Sequence, residues 1–180
     1  LHNAESHITL YCEKTNVGFG KGCNRAATIA EEKKIPYLWF LNPDTTINQN
    51  SGSALLSLLQ NDKNIHFAGS LLSNEQGEIR AGGFRFPSIT NILISTSRLK
   101  ILDRLLPLST TAVPIECQPY KAEWLTGASF MTHQKHFRLL TGFSPSYFLY
   151  FEEVDLFFRA KQKSLNAYCC PSSTVVHASG

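Results

Sequence analysis

Glu152-Glu153-Val154-Asp155 sets three carboxylates within four residues, between the aromatic run Tyr147-Phe148-Leu149-Tyr150-Phe151 and Leu156-Phe157-Phe158-Arg159. In the first turn of a predicted helix such acids are favoured by the macrodipole, and Asp155 with Arg159 makes an i, i+4 pair. The surrounding rings also exclude water, which raises a carboxylate's pKa towards that of a general base. Helical spacing puts Glu152 and Asp155 on one face and Glu153 on another. Arg159 would hold Asp155 ionised and weakly basic, whereas Phe157, one turn beyond Glu153, offers a drier setting. Glu153 is the expected base and Asp155 the other candidate.

A further acid, Asp44, follows a different kind of segment. Tyr37-Leu38-Trp39-Phe40-Leu41 is apolar without alternation, the pattern of a strand covered on both faces of a parallel sheet. Pro43 ends it, having no N–H for the ladder. Asp44 then stands just beyond the carboxyl end of a central strand, where open α/β sheets bind ligands. A carboxylate there can hold a divalent cation against a diphosphate; it can equally start a turn and cap the next helix. The glycine-rich stretch Asn16 to Arg25 runs into a helix whose Cys23, Ala26, Ala27 and Ala30 share a face. Its exposed N–H groups suit a phosphate or sugar, or its glycines make only a tight turn. The spacing is neither a Walker loop nor G-x-G-x-x-G. His177, alone after Thr174-Val175-Val176, reads as structural on its own.

The elements that must carry these residues alternate between strand and helix. Ile8, Leu10 and Cys12 alternate with polar neighbours as a short strand, which with the next helix and the Tyr37 strand predicts a right-handed βαβ unit. Asn50 or Ser51 caps a helix striped by Leu55, Leu56, Leu58 and Leu59. Ile65 to Leu72 is a buried strand, and Asn74 to Gly77 a turn. Gly82-Gly83 marks backbone passing close to a ligand or another strand. From Pro87 to Ala122 the pattern dissolves, apart from a short helix over 98–106, and reads as a substrate-specific loop. Glu123 to Met131 is expected as one strand with Gly127 in its middle. A helix over 134–140, the acidic helix, and strands at 167–170 and 174–177 complete the chain.

With 180 residues, 43% hydrophobic and 17% charged, the chain is long enough for one globular domain. Its net charge of +3 is compatible with contact at an anionic membrane surface, but no basic cluster supports nucleic-acid binding. Five scattered cysteines without a C-x-x-C pair argue against a disulfide framework or a zinc site and for a reducing compartment. No apolar run approaches the roughly 18 residues of a membrane span.

Taken in order, the segments resemble the family 2 inverting glycosyltransferases of the GT-A fold, in particular bacterial rhamnosyltransferase-like members. The resemblance rests on Asn16-x-Gly18-Phe19-x-x-Gly22-x-Asn24, Leu41-Asn42-Pro43-Asp44-Thr45, Trp124-Leu125-Thr126-Gly127-Ala128, Gly142-Phe143, Tyr150-Phe151-Glu152-Glu153-Val154-Asp155-Leu156 and Val176-His177. It implies an α/β fold with a mixed, mainly parallel sheet flanked by helices, over a single partial domain spanning 1–180 and lacking the N-terminal strand-helix-strand. It implies a donor side at Asn16, Gly18, Asn24 and Asp44, and an acceptor side at Trp124, Thr126, Gly127 and Glu152. Mg²⁺ or Mn²⁺ would sit on Asp44 and His177, with Glu153 as base where the family has Asp. Ser144-Pro145 stands where the family continues Asp-Glu, and Ser164 replaces a customary turn glycine.

The reaction implied is inverting, metal-dependent transfer of a sugar such as rhamnose from a nucleoside-diphosphate donor to a glycan or lipid-linked acceptor, in cell-surface polysaccharide synthesis. The expected setting is the cytoplasm, with peripheral contact at the inner face of the cell membrane. The competing readings are a catalytically silent glycan-binding fragment and a nucleotidyltransferase of related fold.

Overall fold

The computed structural model describes residues 8–86, 111–148 and 150–177. Helices α1 (Phe19–Glu32), α2 (Ser51–Asn61), α3 (Gln134–Leu139) and α4 (Glu152–Gln162) alternate with strands. The strands are β1 (Tyr37–Leu41), β2 (Thr45–Ile47), β3 (Phe67–Ser73), β4 (Ile79–Arg80), β5 (Gly83–Phe84), β6 (Tyr120–Ala122), β7 (Trp124–Leu125), β8 (Ser129–His133) and β9 (Ala167–His177). The main sheet runs β1-β8-β3-β9-β2, with β4 on β3 and β6 on β9, while β5 and β7 form a two-stranded sheet of their own.

Period-2 alternation divides the core between the two faces of the main sheet. Leu38, Phe40, Phe67, Phe130 and Cys169 meet Ala27, Phe137, Leu156 and Phe157 of α1, α3 and α4 on one side. Ala68, Met131 and Cys170 meet Leu55 and Leu59 of α2 on the other. Tyr37 and Trp39 add to this second face. A polar line lies there too: Ser70 Oγ is 2.7 Å from Ser129 Oγ and 2.8 Å from Ser173 Oγ, and Trp39 Nε1 donates to Ser129 Oγ at 3.1 Å. Each hydroxyl is buried and partnered, as burial requires.

The sheet is mixed, but among the described residues only β3 and β9 run parallel. The pairs β1–β8, β2–β9, β3–β4, β3–β8 and β6–β9 are antiparallel. The unbroken apolar run of β1 therefore reflects two covered faces and not a central parallel position; β1 ends the strand order, paired to β8.

Residues 8–12 form no strand, and Ile8 and Leu10 are 82% and 83% exposed. Their alternation finds no ladder to join, so they make no βαβ unit with α1 and β1. Ala26, expected on the packed face of α1, is exposed, whereas Ala27 is buried. The segment from Glu123 to Met131 is two strands in different sheets, because Thr126-Gly127-Ala128 turns between them, with Thr126 Oγ1 accepting from the Ala128 N–H at 3.3 Å. Conversely, 167–177 is one strand, its register shifting between Cys170 and Thr174 so that Pro171 sits in the irregularity. The helix expected over 98–106 lies outside the described residues.

Gly82 resolves the Gly82-Gly83 reading in favour of a neighbouring strand, since a Cβ there would run into the carbonyl of Ser70. Ser164, in place of the turn glycine, adopts φ 57°, a left-handed conformation that a side chain makes costly.

Candidate active site

The β1–β2 turn carries Asn42-Pro43-Asp44, and backbone bonds fix it to the 126–128 turn: Asn42 N–H donates to Ala128 O at 3.1 Å, and Thr45 N–H to Asn42 O at 3.2 Å. The antiparallel register of β2 with β9 then sets Thr45 opposite His177. This brings His177 Nε2 to 3.4 Å from Asp44 Oδ1 and 3.2 Å from Asn42 Nδ2. Residues far apart in the chain thus converge at one sheet end.

Asn42, Pro43 and Asp44 line a cleft of about 630 Å³ together with Phe19, Thr126, Gly127, Ala128, Tyr150, Glu152 and Glu153. Glu153 Oε1 stands close to Gly127, 4.0 Å from where a Cβ on that residue would lie. Burial is the main influence on the Glu153 pKa and raises it above the usual carboxylate range; the charge of Glu152 adds to this, and nearby backbone N–H groups only oppose it. Glu152 itself is 4% exposed, with Oε2 buried and unpartnered. A carboxyl so placed has a hydrogen-bonding capacity that its surroundings leave unused.

The helical-wheel expectation fails at this point. Glu152 and Glu153 share the cleft, whereas Asp155 lines a separate groove with Phe86, Tyr147, Phe151, Val154 and Phe158. Side chains of a first turn tilt towards the helix N-terminus, and here the tip of α4 is the cleft wall, so two adjacent positions both reach it. Asp155 is committed to Arg159, whose Nε and Nη2 donate to its Oδ2 at 2.9 and 2.8 Å. Arg159 also donates to the carbonyls of Leu140 and Gly142, tying α4 to the loop after α3.

Several residues expected at the donor or acceptor are occupied in holding the fold. Asn24 donates through Nδ2 to Phe143 O at 2.8 Å and accepts from the Phe143 N–H at 2.8 Å, a two-point clamp on a ring that is fully buried. Asn16 accepts from the Gly18 N–H at 2.9 Å, and Gly18 turns at φ 81° where a Cβ would meet the carbonyl of Phe148. Neither Asn16, Gly18 nor Asn24 lines the cleft. Trp124 also lies off it, stacked on Phe84 at 4.5 Å between centroids, with Nε1 donating to Arg85 O. Thr126, Gly127 and Glu152 do line it. Sequence reasoning missed Phe19, Asn42, Pro43, Ala128 and Tyr150 as lining residues. Asn42 and Tyr150 flank assigned acids and were findable by adjacency, whereas Phe19 and Ala128 are brought in by tertiary packing alone.

A carboxylate and an imidazole beside an open cleft are a donor set that could take Mn²⁺, with places left for a ligand's oxygens and water, whereas Mg²⁺ would rely on the carboxylate and added oxygens alone. Among the described residues no three His, Cys, Asp or Glu side chains cluster as a metal cage.

No protein-family model matches the chain. It is 23% identical over 167 residues to the rhamnosyltransferase WbbL of Escherichia coli K12, covering 89% of this chain and 60% of that protein. It is 26% identical over 184 residues to the N-acetylglucosaminyl-diphospho-decaprenol L-rhamnosyltransferase of Mycobacterium tuberculosis (strain CDC 1551), covering 95% of this chain and 59% of that protein. A crystal structure of GalNAc-T7 with UDP, GalNAc and Mn²⁺ superposes with a TM-score of 0.59 at 15% identity, over 92% of this chain and 31% of that one. The chain is rhamnosyltransferase-like and has the GT-A fold. It spans about 60% of the length of these curated relatives. In this GT-A chain the Asp44 turn and the tip of α4 form walls of one cleft, joined by the 126–128 backbone.

Proposed function

We propose that this chain carries the transfer site of an inverting glycosyltransferase, moving a sugar from a nucleoside-diphosphate donor to a glycan or lipid-linked acceptor. The observation that carries the reading is Asp44 and Glu153 in one cleft, the first beside His177 and the second with a raised pKa. The names of the relatives support rhamnose as the sugar, and the diphospho-decaprenol in one of those names supports a lipid-linked acceptor. Such an acceptor implies work at a membrane surface, in our reading the inner face of the cell membrane. Among the described residues no helix is long and apolar enough to cross it.

In this mechanism Asp44 and His177 are the residues that would hold Mg²⁺ or Mn²⁺, which would supply Lewis-acid stabilisation of a leaving diphosphate. Glu153 takes the proton of the acceptor hydroxyl. That oxygen bonds to the anomeric carbon as the carbon–oxygen bond to the diphosphate breaks, and the configuration inverts. A base whose pKa lies above the ordinary carboxylate range suits proton abstraction near neutrality. Glu152 takes up an acceptor hydroxyl through its unpartnered oxygen. Phe19 and Tyr150 form apolar wall that limits the entry of water.

Incubation with a panel of nucleotide sugars, Mn²⁺ and a glycan acceptor tests the reading. Release of nucleoside diphosphate with an inverted product anomer, read by NMR, is expected. Glycan binding without release would sink transfer and leave a silent binding module, while formation of pyrophosphate in a parallel incubation with a nucleoside triphosphate and a sugar 1-phosphate would identify a nucleotidyltransferase.

A further inference from the structure

Beside the cleft, Tyr147, Phe148, Tyr150 and Phe151, with Phe158 of α4, expose an unusual amount of aromatic surface. Tyr150 is 71% exposed, Phe151 62%, Phe148 57% and Phe158 51%. Contiguous exposed apolar patches of this kind mark interaction surfaces. Tyr147, Phe151 and Phe158 meet Phe86 around an open groove of about 310 Å³. Tyr150 lies at the mouth of the cleft.

The far side of the patch is cationic. Lys161 Nζ lies 5.3 Å from the centroid of the Phe86 ring, which itself packs edge-on against Phe158. Behind Phe86, Arg85, Lys121 and Lys161 border a shared cavity with Glu123. The acids nearby are already compensated or hidden: Glu123 pairs with Lys161 at 2.7 Å, Asp155 with Arg159 at 2.8 Å, and Glu152 is buried. Arg85 and Lys121 form no ion pair among the described residues, so the strip retains positive charge.

We infer that this strip, from Tyr150 through Phe151, Tyr147, Phe158 and Phe86 to Arg85 and Lys121, is the face on which the protein lies against an anionic membrane surface. Protruding rings enter the headgroup boundary, and cations beside them are attracted to acidic lipids. A lone apolar tail would use the rings but has no need of the cations, whereas an isoprenyl phosphate would use both and is told apart by binding without vesicles. The inference rests on the reading of the cleft as a transfer site only in that a docked face would present the cleft mouth to lipid-linked substrates.

Flotation of the full 180-residue chain with vesicles tests it. Vesicles of phosphatidylcholine with a quarter phosphatidylglycerol are compared with phosphatidylcholine alone. Binding to the anionic vesicles only, released by salt, is expected. Replacing both Tyr147 and Phe158 by Ser should weaken partitioning about tenfold or more, since binding scales with buried apolar area. Arg85→Glu with Lys121→Glu should do so by about tenfold or more through charge. Circular dichroism and melting of each variant confirm that it folds. Failure of wild type to float, or variants that float as well as wild type, would overturn the inference. So would a water-soluble short-chain isoprenyl phosphate that binds without vesicles and blocks flotation, because the groove would then be a site for one lipid tail. Sugar transfer does not enter this readout, so failure of the transfer reading and failure of the docking surface remain distinguishable.

Discussion

Asp44 and Glu153 divide the proposed chemistry, and each has a substitution that isolates its part. Asp44→Asn keeps the shape and removes the charge that a hard cation needs. Titration calorimetry should show the Mn²⁺-dependent part of donor affinity lost while the melting temperature holds. Equal affinity with and without metal in both forms would remove Asp44 from the metal site. Glu153→Gln should leave donor binding nearly intact and lower turnover by roughly 100-fold or more, the scale of general-base loss. Because burial raises the Glu153 pKa, the acid limb of the wild-type kcat/KM profile should fall above the ordinary carboxylate value of 4.5. That limb should vanish in Glu153→Gln, and its survival there would assign the base to another group. Asp155→Asn should act through stability, by about 1–2 kcal/mol, as Arg159 loses a half-buried charged partner. Chemical denaturation checks this, and full stability with abolished turnover would instead make Asp155 catalytic.

At the scale of elements, one cluster couples stability to acidity. His133 caps α3, its Nδ1 accepting from the Lys135 N–H, and His66 Nδ1 accepts from the Asn166 N–H. Both bonds need an unprotonated nitrogen. His136 packs 4.8 Å from His66 and 5.9 Å from His133 between ring centroids. Burial first, then neighbouring positive groups, lowers the pKa of His136 to about 4, and burial also lowers His66 and His133 below 6.5. The unfolded chain therefore binds protons that the folded one refuses. Stability is full above about 6.5 and falls as pH drops from there towards 4. Melting temperatures at neutral pH and near pH 5 should differ, and His136→Gln should narrow the gap; no narrowing would place the titration elsewhere. Gly82→Ala, at the close approach to Ser70, should cost about 1–3 kcal/mol or prevent folding, which urea titration would show.

Much of the element map was legible because the signals were local. The leucine stripe of α2, the acidic first turn of α4 and the proline stop after β1 each carry a short-range cause. What was not legible depends on partners in space. An apolar run gives two covered faces but not the direction of its neighbours, so β1 read as parallel. Asn24 was placed on the donor side by the resemblance alone, and a motif match cannot tell an amide that meets a ligand from one that clamps Phe143. Asp155 and Glu153 were separated correctly in environment, but the wheel could not know that the helix tip itself would be the wall.

For the molecule as a whole, the strand order leaves one flank of β1 without a ladder partner among the described residues. An unpaired apolar edge is a template for association. The 180-residue chain by itself should therefore form dimers or larger species, seen as a concentration-dependent sedimentation coefficient. A monodisperse monomer with a sharp high-temperature melt would show that this edge is adequately guarded.

The backbone of 126–128 reaches the Asp44 turn through Ala128 O, and Glu153 Oε1 stands close to Gly127 in the same turn. That backbone works as a gauge: the gap between the two acids is measured by main-chain atoms, which mutation does not replace. Side chains around the cleft can therefore vary without resetting the distance that the proposed transfer needs.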